Sequence, residues 1–462
     1  MQNIFNETSS LDKRCCEKFL LTEDILMEHA ADGMADFIYN KFELGTSIII
    51  VCGAGNNGAD GTVLARLLHN DYDVKVYLPF GVKSEMAQLQ YKRLLAVCDC
   101  VSDVLVESDI IVDALFGTGL SRALDTMSQN IIDTLNSYHD SYKIACDIPS
   151  GMGFKTVFEA DITLTMGALK RSMFEDSAKE YVGDIEVINL GVSRGVYERD
   201  TKYKLLETLD MKLPHRTNRI MKNAHKGSFG HLSVVCGEKE GAAIIASLAA
   251  FNFGAGLVTL LSNTKITAPC EIMQSHTLPS NTTAITLGMG LGQEFSNIEL
   301  DTFLENKIPL VLDADIFYHD RLKKLLSRDN IIITPHPKEF VALLKRCSLA
   351  EITIAQLQQK RFEYVELFHK SYPLVTLLLK GANVIIASNN NFYVNTLGTS
   401  SLAKGGSGDV LSGLIAALLA QGYSCEDAAI SASLAHTMSY KKSDKSSFAI
   451  TPTDLISGVQ YL

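Results

Sequence analysis

Short β-branched and aliphatic runs, apolar on both faces, alternate along the chain with stretches whose apolar positions recur at helical spacing. In the first half the runs are TSIIIVC, DVKVYL, DIIVDAL, YKIACDI and ADITLTM. Strands apolar on both faces need helices on both sides, so the pattern predicts α/β architecture with a largely parallel sheet. Ahead of them Leu26, Met27, Ala30, Met34 and Phe37 share a helical face, predicting a helix over 20–39. From about 191 to 219 the pattern breaks into a charged stretch too polar for a core strand, placing a linker near 200–216. A second series follows: GHLSVVCG, GLVTLL, TAITLG, IPLVLDAD, NIIITPH, PLVTLLLKG, ANVIIAS and NFYVNT, then a glycine-rich turn and an apolar helix over 410–420. Two α/β domains are expected, over 1–205 and 217–462. The apolar run 242–261 is broken by Ser247, Asn252, Gly254 and Gly256, which predicts a buried helix leading into a strand rather than a membrane span.

Composition narrows the function classes. The chain has 462 residues, of which 47% are hydrophobic and 21% charged, enough to pack two cores. A net charge of −11 argues against a nucleic-acid partner. The ten cysteines form no C-x-x-C pair and several lie in apolar runs, as expected of a reduced interior. The stretch MQNIFNETSSLDKRCC has no apolar signal region. A soluble cytoplasmic protein without membrane contact is the expectation.

The first candidate chemistry is IIIVCGAGNNGADGTVLARLL, where Gly53, Gly55 and Gly58 have G-x-G-x-x-G spacing. Glycines between a strand and a helix N-terminus let the backbone approach a phosphate, and a helix starting near Asp60 would present free N–H groups to it. A dinucleotide reader also needs an acid after the second strand to grip the ribose, and YLPFG, 77–81, has none. Asn56 and Asn57 can be plain turn residues. Two further loops weigh against that reading: VDALFGTGLSRAL puts Asp113 at a strand end before Gly117 and Gly119, and CDIPSGM does the same for Asp147 and Ser150. In a parallel sheet these ends face one crevice.

GAGNNGADG, DALFGTGL and DIPSG together resemble the epimerase domain of the NAD(P)H-hydrate repair system, over roughly 1–200. The resemblance implies a Rossmann-like domain that binds a hydrated nicotinamide nucleotide, NADHX or NADPHX. It implies that Asn56, Asn57, Gly58, Ala59 and Asp60 line the site with Gly117, Thr118, Gly119, Leu120, Ser121, Arg122 and Ala123. It puts Asp147 beside the reacting ring and a potassium ion near Asn57, Asp113 and Ser150, oxygen donors that suit a hard cation. Asp147 is the expected acid–base, since epimerisation at the hydrated carbon needs a movable proton. Lys170, in TMGALK, matches a lysine of that family and is either its assistant or a surface residue. Ala59 stands where a third glycine is usual.

KGGSGDVLSGLIAALLAQG is the strongest signal. Gly405, Gly406 and Gly408 precede Asp409 at the start of an apolar helix. Such a turn makes a concave anion site reinforced by the helix dipole, whereas a lone capping Asp would explain only the acid. Phosphate-binding glycines beside a carboxylate suit phosphoryl transfer to an alcohol. The turn resembles the ribokinase-like fold. With HKGSFGHLSVVCG, FGAGLVTL, LGMGLG, LDAD, TPHPKEF and LKGANVII in this order, 217–462 resembles the ADP-dependent NAD(P)H-hydrate dehydratase family. That resemblance assigns Ala255, Gly290, His336 and Asp409 to the hydrated substrate. It gives Lys380, Gly381, Ala382, Asn383, Val384 and Gly408 to the nucleotide, and Gly405 and Gly406 of the phosphate turn are expected to bind it too. It implies ADP as co-substrate, with release of AMP and phosphate, magnesium with the phosphoryl donor, and a homo-oligomer. Val384 stands where threonine is usual, LDAD lacks the following asparagine, and LGTSSLAK also departs. The expected protein is bifunctional. A ribokinase-like small-molecule kinase with an accessory nucleotide-binding domain, or a binding protein that has lost catalysis in its first domain, are the alternatives.

Overall fold

The computed structural model describes residues 1–120, 122–214, 222–292 and 306–462. The chain divides into two compact units, one of Asn3–Thr201 and one of Lys202–Leu462 with Met1–Gln2. The first has a parallel sheet in the order Val101–Ser102, Asp73–Tyr77, Ser47–Cys52, Ile110–Ala114, Tyr142–Cys146, Ile162–Met166, Asp184–Ile188. All five expected runs are strands here; the edge strands Val101–Ser102 and Asp184–Ile188 were not expected. The helices Glu23–Lys41 and Asn56–Leu68 bury Met34, Ile38, Val63 and Leu64 against one face, and Thr126–Ser137 buries Ile131, Ile132 and Leu135 against the other. The helix expected over 20–39 begins at Glu23, after a separate helix Ser9–Phe19. Strand order reverses direction between Ser47–Cys52 and Ile110–Ala114, and the loops leaving both strands open a crevice at that switch point.

The second unit has parallel strands in the order Met273–Ser275, Leu257–Leu261, His231–Val235, Ala284–Leu287, Leu310–Leu312, Ile331–Ile333, Val375–Leu379. Val384–Ser388 and Asn391–Asn395 extend it antiparallel. Helices Glu240–Asn252, Ser407–Ala420 and Cys425–Ser439 share one core cluster with the sheet. Gly413 allows the first two to touch: a Cβ there would lie 2.3 Å from the Ala246 carbonyl oxygen. The run 242–261 is a helix and a strand, as its interruptions predict.

The unit boundary falls inside the expected linker, part of which is a strand. The units part between Thr201 and Lys202, and Tyr203–Leu205, inside the supposed linker, pairs parallel with Asn391–Asn395. Tyr203 stacks on Phe392 at 5.2 Å between ring centroids. A three-residue strand needs only a single anchored side chain, so polarity along the run does not exclude it. Among the described residues no helix is long and apolar enough to cross a membrane.

Candidate functional site

Each unit gathers charged side chains at the C-terminal ends of its strands. In the first unit the helix over the crevice begins at Asn56, not near Asp60, so Asn56 and Asn57 are first-turn residues, with Gly55 as N-cap. Gly53 and Gly58 serve packing: a Cβ on Gly53 would stand 1.8 Å from the Leu115 oxygen, and one on Gly58 1.9 Å from the Gly53 oxygen. Only Gly55 opens to free space. The loop is bare of bulk because strand, helix and neighbouring loop touch.

Asp147 follows the Tyr142–Cys146 strand with φ +74°, a left-handed backbone that costs energy outside glycine. Its Oδ1 lies 2.6 Å from Lys170 Nζ and accepts from the Met166 amide at 3.2 Å. Lys170 is only 2% exposed, so the surface reading of this lysine fails. Its ammonium also donates to Thr165 Oγ1 at 2.8 Å and the Met166 carbonyl at 3.0 Å. The other oxygen, Oδ2, faces Gly117: a Cβ on Gly117 would lie 3.4 Å from it and 3.3 Å from Asn57 Oδ1. Gly117, Asn57 and Asp147 therefore meet in one place. Asp60, one helical turn on, has its carboxyl pushed well up by burial, then by Asp147, Asp12 and Glu23. Ala59 is fully buried, Gly58 packs as described, and Asn56 bonds the Glu23 carboxylate. Thr118, Gly119, Arg122 and Ala123 are exposed on the crevice loop with Leu120 half-buried; Ser121 lies outside the described residues.

Asp113 and Ser150 are fully buried together. Ser150 donates through Oγ at 2.6 Å and its amide at 2.7 Å, and Leu115 N adds a third bond. Burial lifts Asp113 to about 6 despite these bonds, which come from a hydroxyl and two backbone amides and carry no charge. The Asn57 amide nitrogen is buried without a hydrogen-bond partner. With that amide turned over, its oxygen would occupy the same spot and favour a cation. Carboxylate, hydroxyl and a turned-over amide oxygen are donors of the kind that suits a hard cation.

Two residues that the sequence offered no signal for brace Lys170. Tyr197 donates to Asp12 Oδ1 at 2.6 Å, and its ring underlies Gly167, where a Cβ would stand 2.4 Å from it. Gly167 lies between the two residues whose carbonyls hold the Lys170 ammonium.

In the second unit Ser407–Ala420 is the helix of the glycine turn, and its N-cap is Gly406 at φ +88°. Asp409 therefore lies in the first turn and caps nothing, which removes the capping reading. A side chain on Gly406 would meet Pro452 at 2.6 Å, whereas Gly405 opens to free space. Gly408 lies against Lys380: a Cβ there would be 3.4 Å from Nζ. Lys380 pairs at 2.8 Å with Asp313, which also accepts from Ser412 Oγ at 2.7 Å and the Ala314 amide at 2.9 Å. Asp409 is lifted to about 6 by burial and then by Asp313, with Lys380 opposing. Asp313 stood in the quoted LDAD run without a role.

Lys380, Gly381, Ala382, Asn383 and Val384 form the hairpin between Val375–Leu379 and the antiparallel strand. Fully buried Arg361 fixes it, donating to the Asn383 oxygen at 2.7 Å and the Lys380 oxygen at 3.0 Å. His336 caps helix Pro337–Arg346: Nδ1 accepts from Lys338 N at 3.1 Å and Glu339 N at 3.3 Å. Nδ1 is then unprotonated, and the Nε2–H faces Glu339 Oε1 at 3.1 Å. Burial, then Lys380, holds His336 below its usual range and burial raises Glu339 to about 7. Gly290, at φ +61°, follows Ala284–Leu287 on the same side of the sheet. Ala255 does not join this cluster. It precedes Leu257–Leu261, so it lies at the opposite end of the strands, buried beside Gly254, which packs on Gln421 at the far end of the Ser407–Ala420 helix.

Comparison with known proteins matches both units. A family profile described as YjeF-related protein N-terminus covers residues 23–172, and one described as NAD(P)H-hydrate dehydratase covers 232–460. The bifunctional NAD(P)H-hydrate repair enzyme Nnr of Helicobacter pylori is 40% identical, with 100% of each chain covered. That of Coxiella burnetii is 31% identical over 90% of each. A solved ADP/ATP-dependent NAD(P)H-hydrate dehydratase from Bacillus subtilis, co-crystallised with ATP and magnesium, is 25% identical. It covers 54% of this chain and 92% of that one at a TM-score of 0.45. With the full length of a 40%-identical relative aligned, the chain belongs to the family of bifunctional NAD(P)H-hydrate repair enzymes.

Proposed function

We propose that the chain repairs hydrated NADH and NADPH, interconverting the R and S hydrates in the first unit and dehydrating the S hydrate with ADP in the second. The observation that carries this reading is the pairing, in one chain aligned end to end with such enzymes, of Asp147–Lys170 in one crevice and Asp409 on a phosphate-type turn in the other.

Epimerisation requires a proton to leave the C6 hydroxyl as the C6–N1 bond opens, and to return when the ring closes on the other face. Asp147 Oδ2 takes and returns that proton, while Lys170 holds the carboxylate in place through Oδ1. Asp113, Ser150 and Asn57 would hold potassium, which supplies positive charge for the dinucleotide phosphates.

In the second unit Asp409 accepts the proton of the C6 hydroxyl as its oxygen attacks the β-phosphorus of ADP, and AMP leaves. The first-turn N–H groups after Gly406 and the Lys380 ammonium stabilise the transferring charge. Phosphate then departs from C6 with its bonding pair and C5 gives up a proton, restoring the ring double bond. Among the described residues no group of three His, Cys, Asp or Glu could hold a metal. Magnesium bound with the nucleotide would supply charge neutralisation at the phosphates.

The test follows reduced-nicotinamide absorbance after adding the full chain to mixed R and S hydrates, with ADP, ATP or no nucleotide. Recovery of both epimers with ADP, faster than spontaneous epimerisation, is expected. Absence of recovery with either nucleotide overturns the dehydratase reading.

A further inference from the structure

The sequence left one gap: the dinucleotide-like turn has no acid after the second strand. The fold fills that place from elsewhere. A cavity of about 370 Å³ opens at the C-terminal ends of Asp73–Tyr77 and Val101–Ser102, lined by Tyr77, Pro79, Tyr91, Ser102, Asp103 and Met127 among others. Resting on the epimerase reading, we propose that this cavity takes the adenosine half of the hydrated dinucleotide, and that Asp103 selects the hydrate of NADH over that of NADPH.

Position supports this first. The strand order places Asp147, Asp113 and Asn57 over the middle of the sheet and the cavity over its Val101–Ser102 edge. Asp147 follows, and Tyr77 ends, strands three places apart, roughly 14 Å at the usual strand spacing, a distance suited to the two ends of an extended dinucleotide. Gly117 stands beside Asp147, and Met127 lies in the cavity wall at the start of Thr126–Ser137. The volume lies in the range of small-molecule sites.

Chemistry supports it second. Tyr77, Tyr91 and Met127 offer apolar and aromatic surface to a purine. Asp103 is exposed at the rim, where a carboxylate accepts hydrogen bonds from a ribose diol. The same carboxylate repels a 2′-phosphate. Readers of the 2′-phosphate place an arginine there, and no lysine or arginine is among the residues that line this cavity. In the dinucleotide-binding pattern the ribose acid ends the second strand; here the neighbouring edge strand supplies it.

The full chain is assayed without ADP, so that only interconversion of R and S hydrates is read by chromatography, with the spontaneous rate subtracted. Wild type is expected to favour the NADH hydrate in kcat/KM by about tenfold. Asp103→Ser should bring the two hydrates to within about threefold of each other through KM, with kcat unchanged for both. Met127→Trp, which fills the cavity, should raise KM for both hydrates and leave kcat, and the retained kcat shows the fold intact. Equal use of both hydrates by wild type overturns the proposal, as does a ratio unmoved by Asp103→Ser or a KM indifferent to Met127→Trp. If wild type accelerates interconversion of neither hydrate, the epimerase reading itself falls, an outcome distinct from all of these.

Discussion

The two crevices use the same residue types in opposite arrangements. In the first unit the lysine is spent on the acid that faces the crevice: Lys170 holds Asp147 directly. In the second the lysine is bonded to a neighbour: Lys380 pairs with Asp313, and Asp409 is left with burial and a nearby like charge that lift it to about 6. A carboxylate tied to an ammonium suits a proton that must go and come back. One poised near 6 suits a base that takes a proton from an alcohol near neutrality. The family's two reactions differ in this respect.

The sharpest way to break the comparison is to remove each acid alone. Asp409→Ala should lower ADP-dependent recovery of the S hydrate by about 10³-fold and leave interconversion without ADP unchanged. Asp147→Ala should do the reverse, leaving S-hydrate dehydration intact while R-hydrate recovery drops to the spontaneous rate. If either variant loses both activities with its fold intact by circular dichroism, the assignment of one reaction to each unit is wrong.

Asp313→Asn sharpens the second half. It removes the like charge that raises Asp409 and frees Lys380, which lowers it, so both changes move Asp409 toward the ordinary carboxylate range. The base works deprotonated, so the wild-type rate should rise with pH through about 6. In the variant that rising limb should move to lower pH. The plateau should fall as well, because Lys380 loses the partner that positions it. An unmoved limb would show that Asp313 does not tune Asp409.

How far the sequence showed this depended on the kind of information each residue carries. The strands were legible because burial on both faces leaves an unbroken apolar run, and the glycine turns because positive φ and close approach restrict composition. Gly406, at φ +88°, is one such position and Gly53, against the Leu115 oxygen, another. Asp147, Asp113, Ser150 and Asp409 could be proposed from the sequence because they stand at or after strand ends or open a helix, places that parallel topology brings together. Asp313 was harder to rank, since an acid ending a strand looks the same whether it faces a ligand or a lysine. Arg361, Asp12 and Tyr197 had no local signal, for their partners lie far away in the chain. Tyr203–Leu205 was missed because three residues with one buried side chain leave no apolar run to read. Ala255 was misplaced with respect to the cluster because a motif gives no direction along the sheet.

A smaller effect separates stability from activity. Folding buries Asp409 and raises its carboxyl, so the stability linked to its proton is fully present below about 4, the unfolded value. It is lost as pH rises through about 6. Asp409→Asn carries no charge at either end. Its melting temperature should exceed that of wild type at pH 8, and the difference should vanish toward pH 4. A constant difference across that range would mean that the carboxyl is not raised in the folded protein.

The mildest test concerns the brace under Lys170. Tyr197→Phe keeps the ring beneath Gly167 and removes only the bond to Asp12, one buried hydrogen bond to a charged group, so it should cost about 2 kcal/mol of stability. If the bond also positions Lys170, kcat for interconversion should fall a few-fold with KM unchanged, because Lys170 acts on Asp147 and not on the dinucleotide's binding groups. Asp12→Asn keeps a hydrogen-bonding partner for Tyr197 but removes the charge that burial has already pushed toward protonation. It should therefore cost less stability than Tyr197→Phe. Moreover, Asp12 lies near Lys170 and Asp147, with Glu23 and Asp60 in the same acidic neighbourhood and Arg14 on its own helix. Removing its charge should move the pH profile of interconversion, whereas Tyr197→Phe should only scale it. If both variants merely scale the rate, the pair is structural support for the Gly167 turn and nothing more.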